Sequence, residues 1–160
     1  MPIQPGDTIP SVKLMQATVE GPREVDTGEL FRGKTAVLFG VPGAFTPTCS
    51  AKHLPGFAEH AQALRDKGVD LIACMAVNDA FVLAAWAQDQ GIGEEIVMLA
   101  DGSATFTRAM GLEMDLGPRG MGVRSQRFAL IARDGVVSYL GVEAAGSFEA
   151  SRAETVLAKL

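Results

Sequence analysis

An apolar run that leads into a cysteine at a predicted helix start constrains this chain most. Residues 34–41 are apolar at almost every position, which is typical of a central strand covered on both faces. The pattern then breaks, and a helix is predicted to begin near Thr46, because threonine is a good N-cap and Pro47 suits the first helical position. Cys49 therefore lies in the first turn of a helix, just beyond a buried strand.

A cysteine at this position is expected to be reactive. The first N–H groups of a helix lack intrahelical partners, and the positive end of the helix dipole lies beside them. Both favour a thiolate, so the pKa of Cys49 is expected to fall from the usual value of about 8.5 toward or below neutrality. Cysteine is also a common buried filler. The Thr-Pro-x-Cys pattern at a strand-to-helix junction favours the nucleophile.

The residues before Cys49 suggest a shaped binding loop. Pro42 removes a hydrogen-bond donor and stiffens the backbone, and Gly43 would let the backbone come close to a small ligand. The Thr46 hydroxyl is predicted to accept from a backbone N–H and to donate its own proton to the sulfur or to a bound oxygen. These positions are the candidate substrate-binding residues around the thiol.

Composition limits the classes of function. The 160 residues suit one domain, 1–160, with 48% hydrophobic and 21% charged residues. A net charge of −5 without a basic cluster disfavours nucleic acid and anionic membrane as partners. No apolar run approaches the roughly 20 residues of a membrane span. The N-terminus shows no signal region, so the cytoplasm is the expected location. Two cysteines are too few for a disulfide scaffold or a zinc site.

The order of predicted elements indicates an α/β fold with a mixed sheet. Parallel strands come first, and a C-terminal hairpin precedes a last helix, as in thioredoxin-like proteins. The segment 114–123 is predicted to be a loop, and a Ser151…Glu154 capping box is predicted to open the last helix. The predicted strands are 12–15, 24–26, 34–41, 69–77, 96–99, 127–132 and 136–142, and the predicted helices are 27–31, 46–67 with a kink at Pro55, 80–90, 103–110 and 151–160.

The motif around the cysteine resembles the active site of the peroxiredoxins. The pattern Pro42-x-x-x-Thr46-x-x-Cys49 matches that family, and the wider string 41–50 is similar to its type-5 subfamily. The resemblance covers essentially the whole chain. Its further matches are Asn78-Asp79-Ala80-Phe81 with Trp86, Ala100-Asp101-Gly102, and Arg124-Ser125-x-Arg127-Phe128.

The resemblance implies a thiol peroxidase. Cys49 would attack the terminal peroxide oxygen and become a sulfenic acid, while water or an alcohol leaves. Thr46 would hydrogen-bond the peroxide, and Pro42 would shield the site from water. Arg127 would hold the thiolate and polarise the peroxide, because a guanidinium offers a fixed fork of donors where negative charge develops. The resemblance also implies a homodimer formed through loops around the site, and it implies no metal or prosthetic group.

The sequence is compatible with more than one reductant. Cys74 lies mid-strand among apolar residues and is predicted to be a core residue. Some type-5 members carry a resolving cysteine near the C-terminus, but residues 144–151 hold none here. The simplest interpretation is a one-cysteine cycle in which glutathione, with or without glutaredoxin, reduces Cys49. The alternatives are a thioredoxin-dependent enzyme with a disulfide to Cys74 or to a partner's thiol, and a non-enzymatic peroxide sensor.

Two further polar residues, His53 and Arg124, have alternative interpretations. His53 follows Cys49 by four positions and is expected to be a solvent-linked polar group more often than a modulator of the thiolate. Arg124 is expected to form an ion pair or to lie at a subunit contact. Four large aromatic residues are expected in the core or at a subunit contact: Phe81, Trp86, Phe106 and Phe128.

Overall fold

A seven-stranded mixed sheet forms the centre of the fold in the computed structural model, which describes residues 2–144 and 146–160 and only the backbone of Cys49. Its strand order is β2-β1-β5-β4-β3-β8-β9, and β6 and β7 form a separate two-stranded sheet. The strands are β1 (Lys13–Thr18), β2 (Gly21–Asp26), β3 (Thr35–Gly40), β4 (Leu71–Ala76), β5 (Val97–Ala100), β6 (Glu113–Leu116), β7 (Gly122–Ser125), β8 (Phe128–Arg133) and β9 (Val136–Val142). The helices are α1 (Thr27–Phe31), α2 (Leu54–Glu59), α3 (Ala61–Asp66), α4 (Ala80–Asp89), α5 (Thr105–Ala109) and α6 (Ala153–Lys159).

Strand β3 lies near the middle of the sheet because both of its faces are apolar. It pairs in parallel with β4 and antiparallel with β8. Side chains from α2, α3, α4 and α6 cover one face of the sheet, and those from α1 and α5 cover the other. The predicted thioredoxin-like α/β fold, with a central mixed sheet flanked by helices, is confirmed. None of the helices in the described ranges is long and apolar enough for a bilayer crossing.

The predicted helix 46–67 is divided into several pieces. It begins at Pro47, widens into a π turn over Cys49–His53, continues as α2, and breaks at His60 before α3. Pro55 lies at the start of α2 and cannot donate a backbone hydrogen bond to the preceding turn, which gives a local reason for the wider turn there. The helix is thus irregular near Pro55, as predicted, and the irregularity is one extra residue in the turn at Cys49–His53.

The prediction of a loop at 114–123 is wrong. These residues belong to the antiparallel hairpin of β6 and β7, with a 3₁₀ turn at Gly117–Arg119 between the strands. Four-residue strands give too short an alternation to stand out, and the glycines and the proline at the turn dominate the local composition.

The predicted capping box at the last helix is also wrong. The helix α6 begins at Ala153, and Arg152 is the residue at its N-cap. The Ser151 hydroxyl instead donates to the Glu143 carboxylate at 2.7 Å. The carboxylate of Glu143, eight residues before Ser151, is thus the partner of this hydroxyl.

Candidate active site

The loop between β3 and the π turn is fixed by neighbouring strand ends. The N–H of Val41 donates to the Met75 carbonyl of β4 at 3.1 Å. The N–H of Ala44 donates to Asn78 Oδ1 at 3.0 Å. Asn78 therefore holds the loop, while the next residue, Asp79, is the N-cap of α4. Loops at the carboxyl ends of two adjacent parallel strands thus support each other.

Arg124 packs directly against this loop. Its Nη1 donates to the Pro42 carbonyl at 3.3 Å, and its Nε donates to the Met121 carbonyl at 2.9 Å. A Cβ at Gly43 would lie 2.7 Å from Arg124 Nη1 and 3.2 Å from Thr46 Cγ2. A side chain at this position would therefore displace the end of the Arg124 side chain that covers the loop. Its predicted contact with a ligand stays a prediction.

The Thr46 hydroxyl is directed at its own loop. Oγ1 donates to the Gly43 carbonyl at 2.7 Å, since a carbonyl oxygen can only accept. In this geometry the hydroxyl proton goes to the Gly43 carbonyl, and the predicted donation to the sulfur or to a bound oxygen stays a prediction. The remaining lone pairs of Oγ1 can accept a hydrogen bond, so a ligand at Thr46 would have to be the donor.

Thr46 also starts the helix, as predicted. Its carbonyl accepts the first helical bond, from Ser50 N at 3.0 Å, and Pro47 occupies the first helical position. The buried Trp86 anchors this turn by donating from Nε1 to Ser50 Oγ at 3.0 Å. The Cys49 backbone lies in the π turn. Its side chain lies outside the described part of the structure, so its role as the nucleophile stays a prediction.

Arg127 lies beside the start of the loop and bonds to a buried histidine. Gly40 of β3 pairs with Phe128 of β8, which places Arg127 across from the first loop residue. Arg127 Nη1 lies 2.9 Å from His53 Nδ1, and His53 Nε2 lies 3.0 Å from the Ser151 carbonyl. Arginine has only donors and a carbonyl only accepts, so Nε2 carries the proton and Nδ1 accepts.

His53 is fully buried, so its predicted contact with solvent is wrong. Burial, and next the positive charge of Arg127, lower the pKa of His53 from the usual 6.5 to about 3. The Ser151 carbonyl and Glu143 oppose that shift. A neutral imidazole is the state that the geometry needs, because a protonated ring would present a second donor to the guanidinium. Sequence spacing placed His53 near the thiol but could not show this partner.

Phe148 closes the side of the site that His53 and Arg127 form. Its ring centroid lies 5.2 Å from that of His53, nearly edge-on, and 6.0 Å from the Arg127 guanidinium carbon. On its other side the imidazole packs against Phe39, with centroids 4.9 Å apart. Aromatic rings thus exclude water from the hydrogen bond between His53 and Arg127.

The aromatic residues named from the sequence fall into two groups. Trp86, Phe106 and Phe128 are fully buried, as expected for core residues. Phe81 is instead 73% exposed, and Phe45 in the loop is 54% exposed. Phe45 also has a φ of 63°, an uncommon conformation for a residue with a side chain, and such positions gather near functional sites.

Comparisons with known proteins agree on one family. The model of the Redoxin family matches residues 4–157. The chain is 55% identical to the chloroplastic peroxiredoxin-2E-2 of Oryza sativa subsp. japonica over 141 residues, which cover 86% of this chain and 63% of that protein. The chain thus spans less than two thirds of that relative.

Two solved structures are similar over nearly their full length. Reduced Prx3 from Vibrio vulnificus in complex with H₂O₂ superposes with a TM-score of 0.92 at 57% identity, covering 98% of each chain. Peroxiredoxin 5 from Alvinella pompejana superposes with a TM-score of 0.86 at 32% identity, covering 99% of this chain and 97% of that one.

The neutral, buried state of His53 predicts a pH-dependent stability. The folded-state pKa lies below the unfolded value of 6.5, so the stabilisation is complete above pH 6.5 and is lost as pH falls toward 3. Between pH 7.5 and 5.5 this group alone should lower the free energy of unfolding by about 1.4 kcal/mol, measured by urea denaturation.

His53→Gln should flatten that dependence, and His60→Gln is the matched control. An unchanged pH dependence in His53→Gln would contradict the assigned state of the imidazole.

Proposed function

We propose that this chain, which belongs to the peroxiredoxin family, reduces hydrogen peroxide and alkyl hydroperoxides through the thiolate of Cys49. The thiolate attacks the terminal peroxide oxygen, the O–O bond breaks, and Cys49 becomes a sulfenic acid while water or an alcohol leaves after taking up a proton. The similarity to peroxiredoxin 5 supports placing the chain with the type-5 members. A cytoplasmic location stays a prediction.

The observation that carries this proposal is the position of the Arg127 guanidinium. A neutral acceptor, His53, holds one donor of Arg127 and leaves its positive charge uncompensated by that partner. A fixed, partly buried cation beside the helix start favours the thiolate over the thiol. It also stabilises the negative charge that grows on the leaving oxygen.

The loop supplies the orientation of the peroxide in this proposal. A hydroperoxide has an O–H group and can donate, and Thr46 Oγ1 is left as an acceptor because its proton goes to the Gly43 carbonyl. Pro42 offers no backbone donor that could hold a competing water. The O–H group of the peroxide therefore donates to Thr46 Oγ1, and the two peroxide oxygens lie on the side of Arg127.

An external thiol is the reductant that fits the chain best. The chain holds two cysteines, and residues 144–151 contain neither. Cys74 is fully buried in β4 within the apolar cluster beneath α2 and α4. A disulfide to Cys74 would require that cluster to open. We propose that one thiol condenses with the sulfenic acid to a mixed disulfide and water, and that a second thiol releases Cys49 and forms the external disulfide.

A groove beside the site supports glutathione as that thiol. The groove has a volume of about 260 Å³, and Phe148, which also contacts His53, forms part of its wall. Glutathione carries two carboxylates and one ammonium group, and the groove offers groups of both signs. Its charged lining residues are Lys52, Arg152, Glu59 and Glu154.

We propose a homodimer because two exposed aromatic rings follow the carboxyl ends of the adjacent strands β3 and β4. Phe45 directly follows Ala44, Phe81 lies three residues after Asn78 in the first turn of α4, and a hydrogen bond joins Ala44 to Asn78. A cleft of about 390 Å³ lies beside Phe81, with Met15 and Leu14 in its wall. An exposed apolar patch of this kind, rimmed by charged residues, favours an interface between copies of the chain.

Replacement of the two cysteines tests the one-cysteine cycle. Cys49→Ser should reduce peroxide consumption to the background rate, because the nucleophile is lost. Cys74→Ser should keep turnover within about twofold of wild type, because a cysteine buried in the apolar cluster takes no part in the proposed cycle.

Steady-state peroxide consumption with glutathione plus glutaredoxin, and with thioredoxin in parallel, gives the measurement. Equal loss in both variants would contradict the one-cysteine cycle. If each wild-type chain consumes one peroxide and neither reductant supports turnover, the proposal of an enzyme is contradicted and a peroxide sensor is favoured.

Substitution in the groove tests the choice of glutathione. Arg152→Ala should raise the KM for glutathione roughly two- to fivefold, as expected for loss of one exposed charge contact. The rate of the reaction with peroxide should not change. Arg133→Ala is the control, because Arg133 is exposed at the opposite end of β8. An unchanged KM in Arg152→Ala would remove the groove as the glutathione site.

Charge in the exposed patch tests the dimer. Phe81→Glu should shift sedimentation velocity profiles from dimer to monomer at micromolar concentration, because two carboxylates would be buried near each other. Val19→Glu, in the exposed turn between β1 and β2, should leave the profile unchanged. A wild-type chain that sediments as a monomer would contradict the proposed assembly.

A further inference from the structure

Glu143 contacts Arg127 through its backbone and a C-terminal segment through its side chain. The N–H of Glu143, just beyond β9, donates to the Arg127 carbonyl at 2.9 Å. Its Oε2 accepts from the N–H of Glu149 at 2.7 Å and from the N–H and hydroxyl of Ser151 at 2.8 and 2.7 Å. Three donors from residues 146–151, here called the strap, thus converge on one carboxylate oxygen.

The strap returns to Arg127 through His53. The Ser151 carbonyl accepts from His53 Nε2, and His53 Nδ1 accepts from Arg127 Nη1. The bonds therefore close a ring that runs from the Arg127 backbone through Glu143, Ser151 and His53 to the Arg127 guanidinium. Every step of this ring is a hydrogen bond of 3.0 Å or less.

We infer that Glu143 is a positioning residue that fixes the Arg127 guanidinium through the strap and His53. This inference rests on the proposed role of Arg127 in peroxide reduction. Glu143 does not need to touch the peroxide. Its task is to hold the Ser151 carbonyl where the imidazole proton points, which sets the tautomer and the tilt of His53 and so the place of the Nδ1 acceptor.

The chemistry of a carboxylate suits this task. An ionised carboxylate only accepts hydrogen bonds and can take several at one oxygen, so the three strap donors are all satisfied. Burial alone would raise the pKa of Glu143, but the bonds from Ser151, Glu149 and the Ala150 backbone lower it on balance. Glu143 is therefore ionised at neutral pH, which keeps the anchor intact where the enzyme would work.

Three further features hold the strap close to the sheet. The Tyr139 hydroxyl donates to the Ala150 carbonyl at 2.7 Å. Gly141 lies directly under that same carbonyl, where a Cβ would collide with it. Phe148 of the strap packs on His53. The strap therefore has its own packing, and Glu143 supplies the bonds that set the position of Ser151.

The central experiment compares Glu143→Ala with Glu149→Ala, a control whose side chain is exposed on the same strap. Glu143→Ala should lower the second-order rate constant for oxidation of Cys49 by peroxide roughly 10- to 100-fold, because a misplaced catalytic group costs rate. Stopped-flow measurement of the oxidation step gives this constant without any reductant. Glu149→Ala should stay near wild type.

A double-mutant cycle separates positioning from a general loss of structure. In the Arg127→Gln background, Glu143→Ala should have little further effect, since the group it positions is gone. The same fold-loss in both backgrounds would overturn the inference. Glu143→Gln keeps an oxygen acceptor and should retain more of the rate than Glu143→Ala. If Glu143→Ala fails to fold, the cycle is run with Glu143→Gln.

A readout that does not depend on peroxide keeps the two proposals distinguishable. The pH profile of Cys49 alkylation by iodoacetamide, followed in the Cys74→Ser background, reports the thiolate directly. Glu143→Ala should shift the midpoint of that profile upward, as the cation beside the thiolate is displaced, and Glu149→Ala should not. A shifted profile in a chain that never reduces peroxide would refute the proposed function and keep the positioning role. An unchanged midpoint in Glu143→Ala would overturn the inference.

Discussion

The hydrogen bond between Arg127 and a buried, neutral His53 is the interaction on which the rest of the site depends. A guanidinium stays protonated and only donates hydrogen bonds, so His53 must be neutral and accept. Burial beneath Phe148 and against Phe39 keeps the imidazole neutral, and the Ser151 carbonyl fixes which nitrogen carries the proton. The aromatic packing and the polar contacts are therefore parts of one arrangement, because each is needed to place an acceptor opposite Arg127.

The same arrangement joins distant parts of the chain. The thiol-bearing turn follows β3, the arginine precedes β8, and the strap follows β9. The order of strands in the sheet makes β3, β8 and β9 neighbours, so short contacts can link residues separated by up to 98 positions. The hairpin of β6 and β7 adds a second cover, because it carries Arg124 onto the Pro42 carbonyl.

The sequence was informative where local patterns coincide with the final contacts. The long apolar run predicted β3, and the Thr46-Pro47 pair predicted the helix start, because both depend on a few adjacent residues. The role of His53 depends on residues 74 and 98 positions away, which no local pattern reveals. The partners of Glu143 are only six and eight positions away, but they lie in a segment without regular structure and follow no recognisable motif. Ser151 shows the limit clearly, since it fits a capping box with Glu154 but bonds to Glu143. The short strands of the β6–β7 hairpin were hidden by the turn residues between them.

The π turn at Cys49–His53 has a consequence for the length of this segment. An α-helix turns by about 100° per residue, so one extra residue changes the rotational phase of everything beyond it. Removing a single residue between these positions would restore a regular helix but rotate His53 away from Arg127, or the thiol-bearing turn away from the loop. The number of residues in this turn is therefore as strict a requirement as their identity, and a change of length here cannot be compensated by any side-chain substitution.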